Sequence, residues 1–77
     1  MTTLEIESFF GDCVLSGPEL SRKELEAQIF CALHDSSGNR DKLVGTLCGR
    51  FGWSPAGPGA RPLYRYDLDV EMLFAVQ

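Results

Sequence analysis

The sequence lacks a long apolar run. Its longest uninterrupted apolar stretches cover only residues 29–33 and 72–76, whereas a helix that spans a bilayer needs about 20 such residues. The opening MTTLEIE has neither the basic nor the apolar region of a secretory signal. We therefore expect a soluble, cytoplasmic protein that does not bind membranes.

Cysteine and histidine are scarce, with three and one in the chain. An odd cysteine count without CxxC argues against a disulfide framework. Cys31 and His34 would share a helix face, and Cys13 and Cys48 could complete a four-ligand zinc set. That spacing is not a familiar zinc pattern, and free cysteines are usually buried. We predict no metal and no cofactor, with zinc left as an alternative.

Basic residues are outnumbered by 11 acids to 7, which gives a net charge of -4. Because nucleic-acid binding needs a basic surface, we do not expect direct binding of DNA or RNA. The 77 residues suffice for one domain, which buries only about 60% of its unfolded surface. Such a core is marginal, so a homodimer is an option.

The start of the chain alternates between apolar and polar residues, which predicts a β-hairpin. Gly11-Asp12 can form its two-residue loop. In that register Phe10 pairs with Cys13 and Ser8 with Leu15. One face then collects the apolar side chains of Leu4, Ile6, Phe10, Cys13 and Leu15.

Two helices follow. Ser21 and Glu24 form a capping box, which predicts a helix from 22 to about 34. Its inward residues are Leu25, Ile29, Ala32 and Leu33, with Phe30 extending that face. Asn39 or Asp41 can cap a second helix to about residue 49, stopped by Gly49 or Gly52.

The remaining chain comprises a loop and a strand. Residues 54–62 hold three of the four prolines and predict an irregular surface loop. Alternation from 63 to 76 predicts one long strand with a bend or bulge near 67–69. The whole chain, 1–77, is predicted to be a single α+β domain. Its antiparallel sheet has about three strands, in chain order β-β-α-α-β, with two helices on one face.

Acidic residues line one side of the predicted first and last strands. The pattern places five carboxylates on the face away from the helices: Glu5, Glu7, Asp67, Asp69 and Glu71. The positive charge of Arg65, on the same face, is expected to be the main one that offsets the repulsion among these carboxylates. This face is either an ordinary solvated surface or a docking site for a Lys/Arg-rich partner.

A second candidate surface contains Arg50, Phe51 and Trp53. These residue types are enriched at binding hot spots. The sequence is equally consistent with Trp53 being a buried residue that closes one side of a small core and not a binding residue.

The favoured function is non-catalytic binding, because so small a two-layer domain has little depth for a catalytic cleft. We predict an inhibitor or adaptor that occludes a basic site on a larger protein, with a nucleic-acid-binding site as one option. In size and charge alone the chain resembles the small acidic inhibitors of phages and mobile elements, including anti-CRISPR proteins. The alternative is a helix-turn-helix-like DNA-binding regulator that uses Arg40, Lys42 and Arg50.

Overall fold

The computed structural model describes residues 1–9 and 11–76. It is an α+β fold with two helices and a five-stranded sheet. In chain order the elements are β1 (Thr2–Ser8), β2 (Gly11–Gly17), α1 (Arg22–Ser36), α2 (Arg40–Phe51), β3 (Ser54–Pro55), β4 (Tyr64–Asp67) and β5 (Met72–Ala75). The strands lie side by side in the order β3-β2-β1-β4-β5. All neighbours are antiparallel except β1 and β4, which are parallel.

The α+β class and the two helices are confirmed, but the prediction of about three antiparallel strands is only roughly right. Residues 63–76 fold back as the hairpin β4–β5 instead of forming one strand. Ser54 and Pro55, expected to be irregular, add the short strand β3 to β2. Parallel pairing needs a long crossover, which the two helices between β2 and β4 provide.

The first hairpin forms, but in a different register from the predicted one. Ile6 lies opposite Cys13 and Ser8 opposite Gly11, so Gly11 and Asp12 belong to β2 and not to the loop. The register differs by an even number of residues, so Leu4, Ile6, Cys13 and Leu15 keep their predicted face. The predicted position of Phe10 lies outside the described residues.

Helix α1 begins at its predicted cap, Ser21, and α2 begins at Asn39, one of its two predicted caps. The Ser21 Oγ accepts from the Glu24 N–H at 3.2 Å, and the Glu24 carboxylate accepts from the Ser21 N–H at 3.3 Å. The Asn39 side chain caps α2, and Gly52 ends it with a φ of 79°, which glycine adopts readily. Neither helix in the described chain is long and apolar enough to cross a membrane.

The core lies between the two helices and one face of the sheet. It consists of Leu4, Ile6, Leu15, Leu25, Ile29, Ala32, Leu43, Leu47, Trp53, Tyr66 and Leu68. Leu33 is half-buried against this cluster. Phe30, expected to extend the buried face of α1, is 77% exposed. The opposite face of the sheet is open to solvent, as the exposed Arg65 and half-exposed Glu5 show.

Candidate partner-binding surface

The open face of the sheet carries the acids of three adjacent strands. Glu7 on β1 lies opposite Asp12 on β2 and beside Asp67 on β4. We call these three residues the acidic row. Neighbouring strands lie about 4.8 Å apart, and like charges placed directly opposite each other are destabilising. Folding therefore tolerates the row and does not favour it.

Glu5 and Arg65 form the next pair on the same face. The Arg65 Nε lies 3.3 Å from the Glu7 Oε2, and its guanidinium lies 5.9 Å from the centre of the Phe74 ring. Arg65 thus relieves the repulsion, as the sequence predicted. Both partners of the ion pair are more than 40% exposed, so water and salt screen it.

Asp69 and Glu71 do not continue this face, contrary to the expectation from the strand pattern. They lie in the turn formed by residues 68–71. The Asp67 Oδ1 organises the turn, because it accepts from the N–H groups of Asp69 and Val70 at 3.0 and 3.4 Å. Glu71 adopts a positive φ of 54°. The acidic cluster of five is therefore divided, with three members on the open face and two in the turn.

The same turn reverses the alternation expected from a single strand. Leu73 packs against the core, whereas Met72 and Phe74, expected to point inward, are 53% and 38% exposed. The open face therefore combines carboxylates on β1, β2 and β4 with apolar side chains on β5. Sequence reasoning also missed Asp12, because the predicted hairpin placed it in the loop.

The two turn acids line other parts of the surface. Glu71 borders a groove of about 260 Å³ with Phe30, Leu33 and Leu73. Asp69 borders a separate depression beside Arg40, at the start of α2. Neither depression includes the acidic row.

Trp53 occupies the lid position in the core. Its side chain is 3% exposed, and its Nε1 donates to the Gln28 Oε1 at 2.8 Å. The ring packs so closely on β2 that a Cβ built at Gly17 would overlap it. Of the second candidate surface, only part is therefore accessible.

Arg50 and Phe51 form that accessible part. The Arg50 Nη1 lies 3.0 Å from the Asp35 Oδ2, and its guanidinium lies 5.4 Å from the centre of the Phe51 ring. Arg40 is likewise paired, with Asp41 at 3.2 Å. Two of the three basic residues named for DNA binding thus have carboxylate partners.

Burial raises the pKa of two side chains, one in the core and one packed against it. Burial raises the pKa of the Cys13 thiol, and the nearby Arg40 opposes that rise. Burial also raises the pKa of Tyr66 to about 12, aided by the charges of Glu71 and Asp67. Cys31 is exposed and Cys48 is half-buried. Within residues 1–9 and 11–76 no group of three or more His, Cys, Asp or Glu is placed to hold a metal ion.

The chain matches no protein-family model, no curated protein and no solved structure. Its function must therefore be inferred from the chemistry of its own surface. The distinctive feature of that surface is the acidic row on the uncovered side of the sheet.

Proposed function

We propose that this protein is a non-enzymatic inhibitor or adaptor that occludes a basic site on a larger protein. The single observation that supports this proposal is the acidic row, with Asp12, Glu7 and Asp67 side by side on an open face. Folding does not require this arrangement, since adjacent carboxylates repel. The Lys or Arg side chains of a basic partner would attract these carboxylates and offset the repulsion among them.

The spacing of the row favours a site that normally holds nucleic acid. Carboxylates on successive strands are separated by about 4.8 Å, and one phosphodiester strand carries a charge about every 3.4 Å. A groove whose Lys and Arg residues neutralise phosphates therefore meets a comparable density of negative charge. The acids would contribute rate and specificity more than affinity.

The charges of the open face lie on regular strands, which supports occlusion of a partner. Glu5, Glu7 and Arg65 lie on regular strands, so their spacing is set by the sheet and not by a mobile loop. Rigid strands present the charges with little ordering cost on binding.

The proposal is tested with two variants that change charge equally. Glu7→Lys/Asp12→Lys reverses two charges of the acidic row, and Asp69→Lys/Glu71→Lys reverses two in the turn. Each variant and the wild type are used as bait in host lysate at low and high salt, and retained proteins and nucleic acids are identified. We expect a basic, nucleic-acid-binding protein, free of its nucleic acid, on the wild type and the turn variant. The strand variant should lose it, and high salt should weaken it.

Equal retention by both variants would contradict the proposal, as would equal loss. The DNA-binding alternative predicts a different result, namely direct binding of duplex DNA that falls steeply with salt. It also predicts loss of that binding on Arg40→Ala/Lys42→Ala. We expect no duplex binding by the wild type even at low salt.

A further inference from the structure

The two edges of the sheet are protected very differently. The edge at β3 is two residues long and contains Pro55, which has no N–H to offer another strand. The edge at β5 reads MLFA, without charge, proline or glycine. Natural sheets usually blunt a free edge with such residues, because its unpaired backbone groups can pair with another chain.

Specific backbone groups point outward from β5. The Val76 N–H donates to the Leu63 carbonyl at 3.0 Å, and bonded pairs alternate along an antiparallel ladder. Leu73 and Ala75 therefore direct their N–H and C=O groups away from β4. The Leu73 carbonyl accepts from the Arg22 Nη2 at 2.9 Å, but a carbonyl oxygen has a second lone pair.

Apolar side chains flank this edge on both sides. On the open face Met72, Phe74 and Val76 are 53%, 38% and 36% exposed. On the helix side the groove of about 260 Å³ lies next to Leu73, beside the 77% exposed Phe30. A strand added at β5 would thus gain apolar contacts on both of its faces.

We propose that β5 pairs antiparallel with β5 of a second copy of this chain, so that two sheets become one. The outward groups of Leu73 and Ala75 lie symmetrically about Phe74. A twofold axis at Phe74 therefore aligns the donors of each strand with the acceptors of the other. Leu73 of each copy exchanges hydrogen bonds with Ala75 of the other, and the two Phe74 rings meet on the open face.

Charge favours a second copy at this edge over other parts of the surface. Each chain carries a net charge of -4, yet the strand Met72–Ala75 has no charged residue. The nearest charged neighbour of Phe74 on the open face is Arg65 on β4. On the open face the two copies of Arg65 would lie three strand spacings apart, about 14 Å. On the helix side each Arg22, which holds its own Leu73 carbonyl, is paired with Glu26 at 3.1 Å, so its charge is offset within its own chain.

The pairing has a consequence for the open face. The two copies would present their acidic rows on the same side of one continuous sheet.

The pairing does not rest on the proposed function, since it depends on β5 alone. With four residues in each strand, the contact is small, and we expect association that is weak and strongly dependent on concentration.

Sedimentation equilibrium over a range of concentrations tests the pairing. Ala75→Pro removes an outward N–H without removing a bond to β4, and Phe74→Lys places two like charges at the axis. Val70→Lys is the matched control, since Val70 is 57% exposed but lies in the turn. The wild type and the control should move from 8.5 kDa towards twice that mass. Both edge variants should remain at the lower mass with an unchanged circular dichroism spectrum.

Amide exchange of the wild type provides a second readout that needs no variant. Exchange at Leu73 and Ala75 should slow as concentration rises, whereas exchange at Phe74, already bonded to β4, should change little. A wild type that stays monomeric throughout overturns the proposal. So does dimerisation by both edge variants. Protection of Leu73 and Ala75 only on addition of a foreign extended peptide would assign the edge to another protein and would also overturn it.

Discussion

Leu4 and Glu5 are neighbours on β1, but they face environments that differ in almost every respect. Leu4 is fully buried between the sheet and the helices, while Glu5 is half-exposed on the open face beside Arg65. The same alternation continues at Ile6 and Glu7. One strand thus supplies both the core and the candidate binding surface.

The comparison shows where the sequence can vary at low cost. Burying a large aliphatic side chain contributes about 1.5–3 kcal/mol, so the inner face determines whether the chain folds. Charged pairs on the open face change stability by only about 0.2–1 kcal/mol. The open face can therefore be adapted to a partner almost independently of the fold.

The largest effect is expected from truncating the inner side of β1. Leu4→Ala should lower the free energy of unfolding by about 2–5 kcal/mol, because it leaves a cavity in a closely packed core. Glu5→Ala, one residue away, should change it by no more than about 0.5 kcal/mol. Urea denaturation of both variants measures the contrast. Similar losses in the two would show that the faces are not independent.

A smaller effect is expected where β2 meets Trp53. Gly17→Ala should destabilise the protein by about 1–3 kcal/mol through overpacking, since the added methyl overlaps the indole ring. Gly57→Ala is the control, because a Cβ there meets nothing within 4 Å. Thermal unfolding and Trp53 fluorescence report the result. An unaffected Gly17→Ala variant would mean that the ring is not held as a lid.

The smallest effect is expected on the open face itself. Arg65→Ala should lower the free energy of unfolding by about 0.2–1 kcal/mol. The decrease should be greater at low salt, because the neighbouring carboxylates repel each other most strongly there. Arg50→Ala is a close match, since Arg50 also combines a carboxylate partner with an aromatic ring. The decrease in the free energy of unfolding caused by Arg50→Ala should depend less on salt than that caused by Arg65→Ala. Equal salt dependence in the two variants would indicate that repulsion among the carboxylates of the acidic row does not contribute to the effect of Arg65.

The features that could be predicted were those decided by near neighbours in the chain. The Ser21 and Glu24 pair predicts the start of α1, and Asn39 is one of the two caps predicted for α2, because a cap is completed within a few residues. Alternation along β1 likewise separates Leu4 from Glu5 whatever strand lies beside them. The α+β class follows from these local signals.

The hairpin β4–β5 could not be predicted in the same way. Alternation continues without a break from Tyr64 to Val76, and no Gly or Pro marks residues 68–71 as a turn. The turn depends on the Asp67 carboxylate and on the positive φ of Glu71, which is unusual outside glycine. This turn removed two residues from the predicted acidic face and exposed Phe74.

By itself, the sequence determined the helices, the caps and which side of β1 is apolar, because those properties depend on contacts a few residues apart. Only the tertiary structure decided that β4 lies parallel to β1, that Asp12 joins Glu7 and Asp67 in one row, and that Trp53 closes the core. Each of these depends on side chains from distant parts of the chain competing for the same sheet positions and core volume. No local pattern records the outcome of that competition.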